Sequence, residues 1–418
     1  MATVQDRTHA VNGLTDPQQG ACSGPEAPAH PPWSAGRDPD LCHSEICQAP
    51  NDKVNTMRAV TVTEYGATPA VAEMPAPEPG PGQVLIRLRA AGMNPMDRAL
   101  ASGAWKPMPA TFPMVLGADG AGVVEQRGPG TSRFSVGDDL FGQLLIAPLG
   151  SAGTYAEYVA VTEDAPLARV PGGLDHVVAA ALPTAGGAGL ALVDLLEPLA
   201  GKTVLIVGAG GGVGSFATQF AANAGASVIA TVRGQDAERM RAYGATETID
   251  YAASDLPDAV RQADPDGIDV LIDVVDAEAP GFAALASLVG PGGTAVSTNY
   301  VADVEALRAA GITGINFALP ASSELFERVA ESVAGARIVA PPITRISLEE
   351  APAALNPAQA RPASGKTVIT VRASTAESPA PAAQRRPGPP PCGMPPGRQG
   401  GPASDTTYGR SAGRAEPG

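Results

Sequence analysis

The chain has 418 residues, which is long enough for two domains that each bury a hydrophobic core. Its 28 Lys and Arg residues are outnumbered by 43 Asp and Glu residues, and the net charge of −15 argues against nucleic acid or an anionic membrane as a partner. No apolar run reaches the roughly 18 residues of a membrane span, and the N-terminus lacks an export signal, so we expect a cytoplasmic protein.

The two ends of the chain have compositions typical of disorder. Residues 1–56 are rich in Pro, Gly, Asp, Gln and Ser, and residues 373–418 form a Pro- and Gly-rich tail. All four cysteines lie in these ends, which excludes disulfides, cysteine-ligated zinc and a thiol nucleophile between residues 48 and 391. The stretch LCHSEIC groups Cys42, His43 and Cys47, and we favour a disordered segment over a metal site there. The folded body is expected over residues 57–372.

Within the body, two sequence patterns predict two domains. Residues 57–179 carry short strands separated by Pro-Gly, Gly-Asp and Gly-Pro turns, which predicts an antiparallel β unit. Residues 180–320 alternate apolar strands with helices, as in KTVLIVG, VGSFATQFAANAG and ASVIATV, which predicts a parallel sheet covered on both faces. Residues 321–372 add a helix and the strand GKTVITV, which we expect to return to the β unit.

The segment TVLIVGAGGGVGSFATQF predicts a dinucleotide site. Gly208, Gly211 and Gly214 are spaced by three residues, and Gly212 and Val213 lie between the last two. A strand precedes the loop and a helix follows it, so the bare backbone can turn tightly and the helix N-terminus can face a pyrophosphate. The alternative is a tight turn between strand and helix that binds no ligand.

The residues after the second strand indicate which dinucleotide binds. Sites that prefer NAD place an acid at the end of this strand, but here Val232 stands near that place and Arg233 follows. An arginine can pair with a 2′-phosphate, which points to NADPH. Tyr251 follows the next strand and can lie over the adenosine. The alternative is that Arg233 is only a solvated loop residue.

Several ordered motifs make the body resemble a known family. They are AAGMNPMD, VLGADGAGVVEQRGPG, VGDDLFG, GTYAEYVAV, AALPTAG, VLIVGAGGGVG and GATETIDY. Together they resemble the medium-chain dehydrogenase/reductase superfamily, specifically its zinc-free quinone oxidoreductase branch. The resemblance implies an α/β fold: a GroES-like β-barrel catalytic domain around a Rossmann domain with a doubly wound parallel sheet, and the cofactor in the cleft. It also implies a homodimer.

The resemblance further implies that no metal is bound. Zinc-dependent members carry Cys about where Asn94 stands and His where Ala118 stands, followed by an acid, here Asp119. A zinc site needs three protein ligands, and Asn94 and Ala118 are not among the residue types that supply them.

Hydride transfer needs little from the protein beyond an oriented nicotinamide and a small-molecule acceptor that can take up charge. The resemblance puts Asn94 near the nicotinamide and Trp105 at the substrate mouth; the alternatives are that Asn94 only makes a turn with Pro95 and that Trp105 is an exposed loop anchor. We expect Asn94 and Asp97 in the catalytic site, where Asp97 orients neighbouring backbone rather than exchanging protons, and Thr184 at the cofactor. The tyrosine that quinone reductases often carry after this aspartate is missing. We therefore predict NADPH-dependent reduction of a quinone or an α,β-unsaturated carbonyl. The alternatives are an enoyl-thioester or alkenal double-bond reductase and a non-catalytic NADPH-binding protein.

Overall fold

The computed structural model describes residues 56–356 and 364–371. The predictions of disorder for residues 1–56 and 373–418, and the interpretation of Cys42, His43 and Cys47, lie outside these ranges apart from Thr56. The described residues belong to one compact unit.

Residues 56–180 form the β-rich part of the body. Its elements are β1 (Thr56–Val62), β2 (Ala70–Pro75), β3 (Gln83–Gly92), α1 (Pro95–Ser102), β4 (Met114–Val115), β5 (Asp119–Arg127), β6 (Asp139–Gln143), β7 (Tyr158–Thr162), β8 (Leu167–Arg169) and α2 (His176–Ala180).

Residues 183–316 alternate helices and strands. They are α3 (Pro183–Leu196), β9 (Thr203–Val207), α4 (Gly212–Asn223), β10 (Ser227–Val232), the 3-10 turn Gly234–Asp236, α5 (Ala237–Ala242), β11 (Glu247–Asp250), α6 (Leu256–Ala263), β12 (Ile268–Asp273), α7 (Ala279–Ala286), β13 (Val289–Ser297), α8 (Val304–Ala309) and β14 (Thr313–Asn316). The remaining elements are α9 (Ser323–Ala334), β15 (Ile343–Ser347), α10 (Ala351–Leu355) and β16 (Lys366–Thr370).

The second group of strands makes a parallel sheet in the order β11-β10-β9-β12-β13-β14. Numbered from β9, this is the order 3-2-1-4-5-6 of the doubly wound dinucleotide-binding fold. The strand TVLIV of β9 is almost wholly buried because helices cover both faces of the sheet. Small residues allow that cover to pack closely: a Cβ on Gly189 of α3 would lie 2.7 Å from the Cβ of Phe216 in α4.

The other sheet is mainly antiparallel. Its main path is β15-β16-β3-β5-β6-β8, with β7 also paired to β3, and β2-β1-β4 form a smaller sheet beside it. The strand β16 pairs antiparallel with β3, where Val368 lies opposite Gly92. The end of the body therefore returns to the sheet that its beginning builds, and the predicted two-sheet fold class is confirmed. Among the described residues, no helix has the length and apolar character needed to cross a bilayer.

Candidate functional site

The glycine loop joins the end of β9 to the start of α4. The strand order of the sheet reverses at β9, between β9 and β12. Ligands of such sheets bind outside the carboxyl ends of the strands at this point. Gly208 has a φ of +86°, and a Cβ there would lie 2.4 Å from Val275. A Cβ on Gly214 would lie 2.3 Å from the carbonyl oxygen of Gly208. The tight turn therefore requires glycine at both positions.

The start of α4 has the donors that a phosphate needs. The helix begins at Gly212 with Gly211 as its N-cap, and no side chain caps it. The first-turn amides of Gly212, Val213 and Gly214 have no acceptor within the helix. A Cβ on Gly211 would meet only the Gly208 oxygen, at 3.4 Å, so the backbone is open to a close ligand. These residues fit the pyrophosphate of a dinucleotide.

Two predicted residues meet at the ends of β10 and β11. The Nε of Arg233 donates to the Tyr251 hydroxyl at 3.0 Å, and the guanidinium carbon lies 5.8 Å from the centre of the tyrosine ring. Both side chains are exposed, whereas Val232 is 1% exposed and faces the core. Arg233 is thus the exposed residue that follows β10, as the sequence suggested.

An acid that the sequence analysis missed lies near the same edge. Asp236 ends the 3-10 turn after β10, is 8% exposed, and has its Oδ2 3.1 Å from the place that a Cβ on Gly210 would take. A second acid, Asp250, accepts hydrogen bonds from the amides of Gly234 and Ala252. Both oxygens of Asp250 are therefore bound to main chain, while Asp236 lies against the glycine loop.

Asn94 connects a buried acid to a buried cation. Its Nδ2 donates to Asp119 Oδ2 at 3.0 Å, and its Oδ1 accepts from Lys366 Nζ at 2.7 Å. Lys366 also donates to the Met93 carbonyl at 2.9 Å and lies 3.9 Å from Asp119 Oδ2. Asn94, Asp119 and Lys366 are 7%, 0% and 6% exposed. We call these three residues the polar hub.

The charges of the polar hub depend on one another. Burial raises the pKa of Asp119 and lowers the pKa of Lys366, and the attraction between the two groups opposes both shifts. Removing either partner would leave an uncompensated charge in the interior, which is costly. Asn94 fixes the positions of the two groups because its side-chain amide bonds to both.

Asp97 lies next to the polar hub, on the first turn of α1. Its Oδ2 accepts from the main-chain amide of Asn94 at 2.7 Å and from the Tyr155 hydroxyl at 2.5 Å. Its Oδ1 has no partner among the described residues. Burial raises the pKa of Asp97 to about 7, although the bond from Tyr155 opposes the shift. Burial and the nearby Asp97 also raise the pKa of Tyr155.

Thr184 joins the polar hub to β6. Its amide and hydroxyl donate to the two carboxylate oxygens of Asp119, at 3.1 and 2.6 Å. Its hydroxyl also accepts from Gln143 Nε2 at 2.7 Å. The structure therefore brings Thr184 together with Asn94 through Asp119, and this bonding occupies the side chain that we expected at the cofactor.

Trp105 lies away from these contacts, in the turn after α1. It is half-buried and packs against the hydrophobic core of the first domain, and its amide donates to the Ala99 carbonyl at 3.1 Å. Its role at the substrate mouth stays a prediction.

The start of β16 links the glycine loop to the polar hub. The Gly365 amide donates to the Gly210 carbonyl at 2.9 Å, and Gly211 and Gly365 form an isolated parallel bridge. A Cβ on Gly212 would lie 2.8 Å from Lys366 Cδ. The stem of Lys366 thus lies against the beginning of α4 while its ammonium group reaches Asn94.

A further acid, Asp273, ends β12 at the same crevice. Its Oδ1 accepts from the amides of Val275 and Asp276, and its Oδ2 has no partner among the described residues. Burial and the neighbouring Asp276 raise the pKa of Asp273 to about 7.

The sequence carried signals for some of the residues that we missed. Lysine is almost never buried unless it is paired with a charged or polar group. A lysine in the apolar strand GKTVITV was therefore a signal that Lys366 has such a partner. Asp236 follows Gly214 by about the 20 residues at which a ribose-binding acid is expected. Tyr155 and Asp273 had no such local signal. The described ranges contain no group of three or more His, Cys, Asp or Glu residues that could hold a metal ion.

Comparison with family models gives two matches. Residues 80–172 match the alcohol dehydrogenase GroES-like domain, and residues 212–316 match a model described as zinc-binding dehydrogenase.

Individual relatives match over different shares of their length. A quinone oxidoreductase of Pseudomonas aeruginosa is 39% identical over 177 residues, which are 42% of this chain and 52% of that protein. The chloroplastic NADPH-dependent alkenal/one oxidoreductase of Arabidopsis thaliana is 34% identical over 227 residues, which are 52% of this chain and 57% of that protein. The matched segments thus span only about half the length of these two curated relatives.

A solved structure matches over its full length. It is an alcohol dehydrogenase superfamily protein from Novosphingobium aromaticivorans, with a TM-score of 0.66 and 30% identity. The match covers 76% of this chain and 100% of that structure.

Proposed function

Because the chain belongs to the medium-chain dehydrogenase/reductase superfamily, we propose that it is an oxidoreductase that transfers hydride from NADPH to a quinone or an α,β-unsaturated carbonyl. The observation that carries the proposal is the uncapped helix α4 behind a glycine loop at the reversal of strand order, next to the buried polar hub. The name of the Pseudomonas relative supports a quinone as the acceptor, and the name of the Arabidopsis relative supports an enone and equally the alkenal of the first alternative.

In this proposal the dinucleotide supplies the hydride, and the protein binds and orients it. The amides of Gly212, Val213 and Gly214 bind phosphate at the start of α4, where the helix dipole favours an anion. Arg233 binds a 2′-phosphate through charge-assisted hydrogen bonds, and Tyr251 holds the guanidinium at the end of β10.

On the acceptor side, we propose that Asn94 stabilises the charge that develops on the substrate oxygen and that Asp97 positions Asn94. Asp97 accepts from the main-chain amide of Asn94 and so holds the backbone at this residue. The bond from Asn94 Nδ2 to Asp119 and the bond from Lys366 to Asn94 Oδ1 fix the orientation of its side chain. Because these donors are already fixed, they need not reorient during the reaction. This preorganisation is the main source of such stabilisation. We also propose that Thr184 lies at the cofactor and that Trp105 lines the substrate mouth.

We propose that the reaction is independent of zinc. The ammonium group of Lys366 lies 2.7 Å from Asn94 Oδ1 and 3.9 Å from Asp119. A cation at this position repels a divalent metal and already balances the Asp119 carboxylate.

Two features of the proposal rest on the sequence. We propose a homodimer in which β14, the edge strand of the described parallel sheet, pairs with its twofold mate, because an unpaired edge leaves main-chain groups without partners. A cytoplasmic location also stays a proposal.

The test is an acceptor panel of quinones, enones, alkenals and enoyl thioesters, read by the loss of NADPH absorbance with the full chain. We expect turnover of a quinone or an enone, and we expect the rate to stay the same when a chelator is added. Preferential turnover of enoyl thioesters or alkenals would favour a double-bond reductase, the first alternative. Tight NADPH binding without turnover of any acceptor would favour a non-catalytic binding protein, and chelator-sensitive oxidation of alcohols would contradict the proposal.

A further inference from the structure

Arg239, on α5, binds the acid that lies against the glycine loop. Its Nη2 donates to Asp236 Oδ1 at 2.8 Å and to the Gly210 carbonyl at 3.0 Å. Its Nη1 donates to the Ser215 hydroxyl at 3.0 Å. The guanidinium therefore bonds to the loop, to α4 and to the acid at the same time.

The same oxygen of this acid accepts a second hydrogen bond. The Ser364 hydroxyl donates to Asp236 Oδ1 at 2.6 Å, and Arg239 Nη2 lies 3.2 Å from the Ser364 oxygen. The side chains of Arg239 and Asp236 are only 16% and 11% exposed. At such burial the pair is poorly screened by solvent, so the positive charge of Arg239 offsets the negative charge of Asp236 within the site.

An acid just beyond the second strand normally favours NAD, because it accepts hydrogen bonds from the ribose hydroxyls and repels a 2′-phosphate. Asp236 has the location of such an acid, since its Oδ2 is 3.1 Å from the place of a Gly210 Cβ. Its Oδ1, however, is committed to Arg239 and Ser364. The exposed Arg233 is then the charged side chain that directly follows β10.

We propose that Arg239 determines the choice between NADPH and NADH by pairing with Asp236. This inference rests on the proposed function and adds a residue that acts through the acid rather than on the cofactor. With Arg239 in place, the negative charge of Asp236 is offset and does not repel a 2′-phosphate, and its Oδ1 is not free to accept from a ribose hydroxyl. Without Arg239, the negative charge of Asp236 is no longer offset. The carboxylate then repels the 2′-phosphate of NADPH and accepts a hydrogen bond from a ribose hydroxyl of NADH.

The experiment measures dissociation constants of NADPH and NADH by calorimetry, with the full chain and four variants. Arg239→Met removes the charge and keeps much of the side-chain volume. Asp236→Asn removes the acid, and the double variant removes both. Ser364→Ala removes a neutral donor to Asp236 and is the matched control for loss of a contact without loss of charge.

We expect Arg239→Met to lower the ratio of NADPH affinity to NADH affinity at least tenfold. Asp236→Asn and Ser364→Ala should change this ratio less than threefold, and the double variant should regain the ratio of the unmutated chain. Should Arg239→Met not fold, Arg239→Lys takes its place, because it keeps a charge but cannot bridge all the acceptors, and its ratio should fall between the two.

Equal weakening of both dinucleotides in Arg239→Met would mean that Arg239 only supports the loop, and would overturn the inference. So would a double variant whose ratio stays as low as that of Arg239→Met. Equal affinity of the unmutated chain for both dinucleotides would contradict the proposed NADPH preference but leave the expected change of ratio in place. If the unmutated chain binds neither dinucleotide, both the proposed function and this inference fail.

Discussion

Asp97 has one carboxylate oxygen with two donors and another with none among the described residues. Its pKa is raised to about 7 in the folded protein by burial, against about 3.9 in an unfolded chain. The folded state therefore holds this proton more tightly, and stability falls as pH rises from about 4 to 7. Asparagine reproduces the shape of the protonated acid without this dependence.

We predict that Asp97→Asn gains stability relative to the unmutated chain as pH rises, by on the order of 3 kcal/mol between pH 4 and pH 8. Urea unfolding at several pH values measures this difference. The control is Asp258→Asn on α6, where the side chain is 69% exposed. A constant difference between Asp97→Asn and the unmutated chain at all pH values would contradict the prediction.

Asn94 is the residue whose change should affect turnover most. We predict that Asn94→Ala lowers kcat by about 100-fold or more and leaves NADPH affinity nearly unchanged, because the lost donor acts on charge in the transition state. The same change leaves Lys366 and Asp119 short of a partner, so it should also cost about 1–3 kcal/mol of unfolding free energy. Steady-state kinetics and urea unfolding separate the two effects.

The comparison variant is Trp105→Ala, which should raise KM rather than lower kcat, since the proposed role of Trp105 is only to shape the substrate mouth. A kcat of Asn94→Ala within threefold of the unmutated chain would show that the Asn94 amide serves the polar hub alone.

Arg233 is the residue on which the predicted cofactor choice depends. Arg233→Asp should weaken NADPH binding by roughly 1–3 kcal/mol and leave NADH binding nearly unchanged, because only the 2′-phosphate pairs with the guanidinium. Calorimetric titration measures both constants. Arg308→Asp on α8, at a side chain that is 74% exposed, makes the same change of charge elsewhere on the surface. Equal losses for the two dinucleotides would argue against the phosphate contact.

Residue patterns predicted the glycine loop and the position of Arg233 after the second strand, because each depends on a few consecutive positions. They did not predict the contact between Arg233 and Tyr251, which are 18 residues apart. They did not predict the polar hub. Asn94 and Lys366 are 272 residues apart, and Asp97 and Tyr155 are 58 apart. Nothing in a local window brings such residues together. Lys366 reaches Asn94 because β16 pairs with β3, and Tyr155 reaches Asp97 from the segment that bonds to Val60 and Leu116.

The strand–loop–helix unit of β9 and α4 offers a matched pair of glycines. A Cβ on Gly214 would lie 2.3 Å from a carbonyl oxygen, whereas one on Gly211 would have only a 3.4 Å neighbour. We predict that Gly214→Ala lowers the melting temperature by several degrees, since the backbone must shift. Gly211→Ala should melt near the temperature of the unmutated chain and bind NADPH at least tenfold more weakly, because its methyl group faces the phosphates.

Calorimetry of binding and thermal unfolding of both variants test this contrast. Normal NADPH affinity in Gly211→Ala would mean that the phosphates do not approach the loop.

Among the elements, the long apolar strands and their helices were predictable because their period and turn residues agree. The 3-10 turn Gly234–Asp236 was not, since its three residues carry no periodicity. Missing that turn hid Asp236, because an acid was sought at Val232, whose side chain is buried.

For the whole molecule, the prediction is that the terminal segments do not contribute to folding or turnover. A chain of residues 57–372 should keep the melting temperature and the activity of the full chain, because neither end has a core-forming pattern. Thermal unfolding and the acceptor panel compare the two. Loss of either property would mean that an end segment packs on the body.

The return of β16 to β3 has a consequence for biosynthesis. A ribosome must translate about 270 residues between the strand that ends at Gly92 and the lysine that reaches Asn94. The parallel sheet closes within residues 203–316 and can form on the nascent chain before this happens. The domain that is translated first is therefore completed last, an exception to the usual order of folding during synthesis. Until Lys366 emerges, the carboxylate of Asp119 has no counter-ion in the polar hub, so we expect early nascent chains to carry an unfinished antiparallel sheet beside a finished parallel sheet.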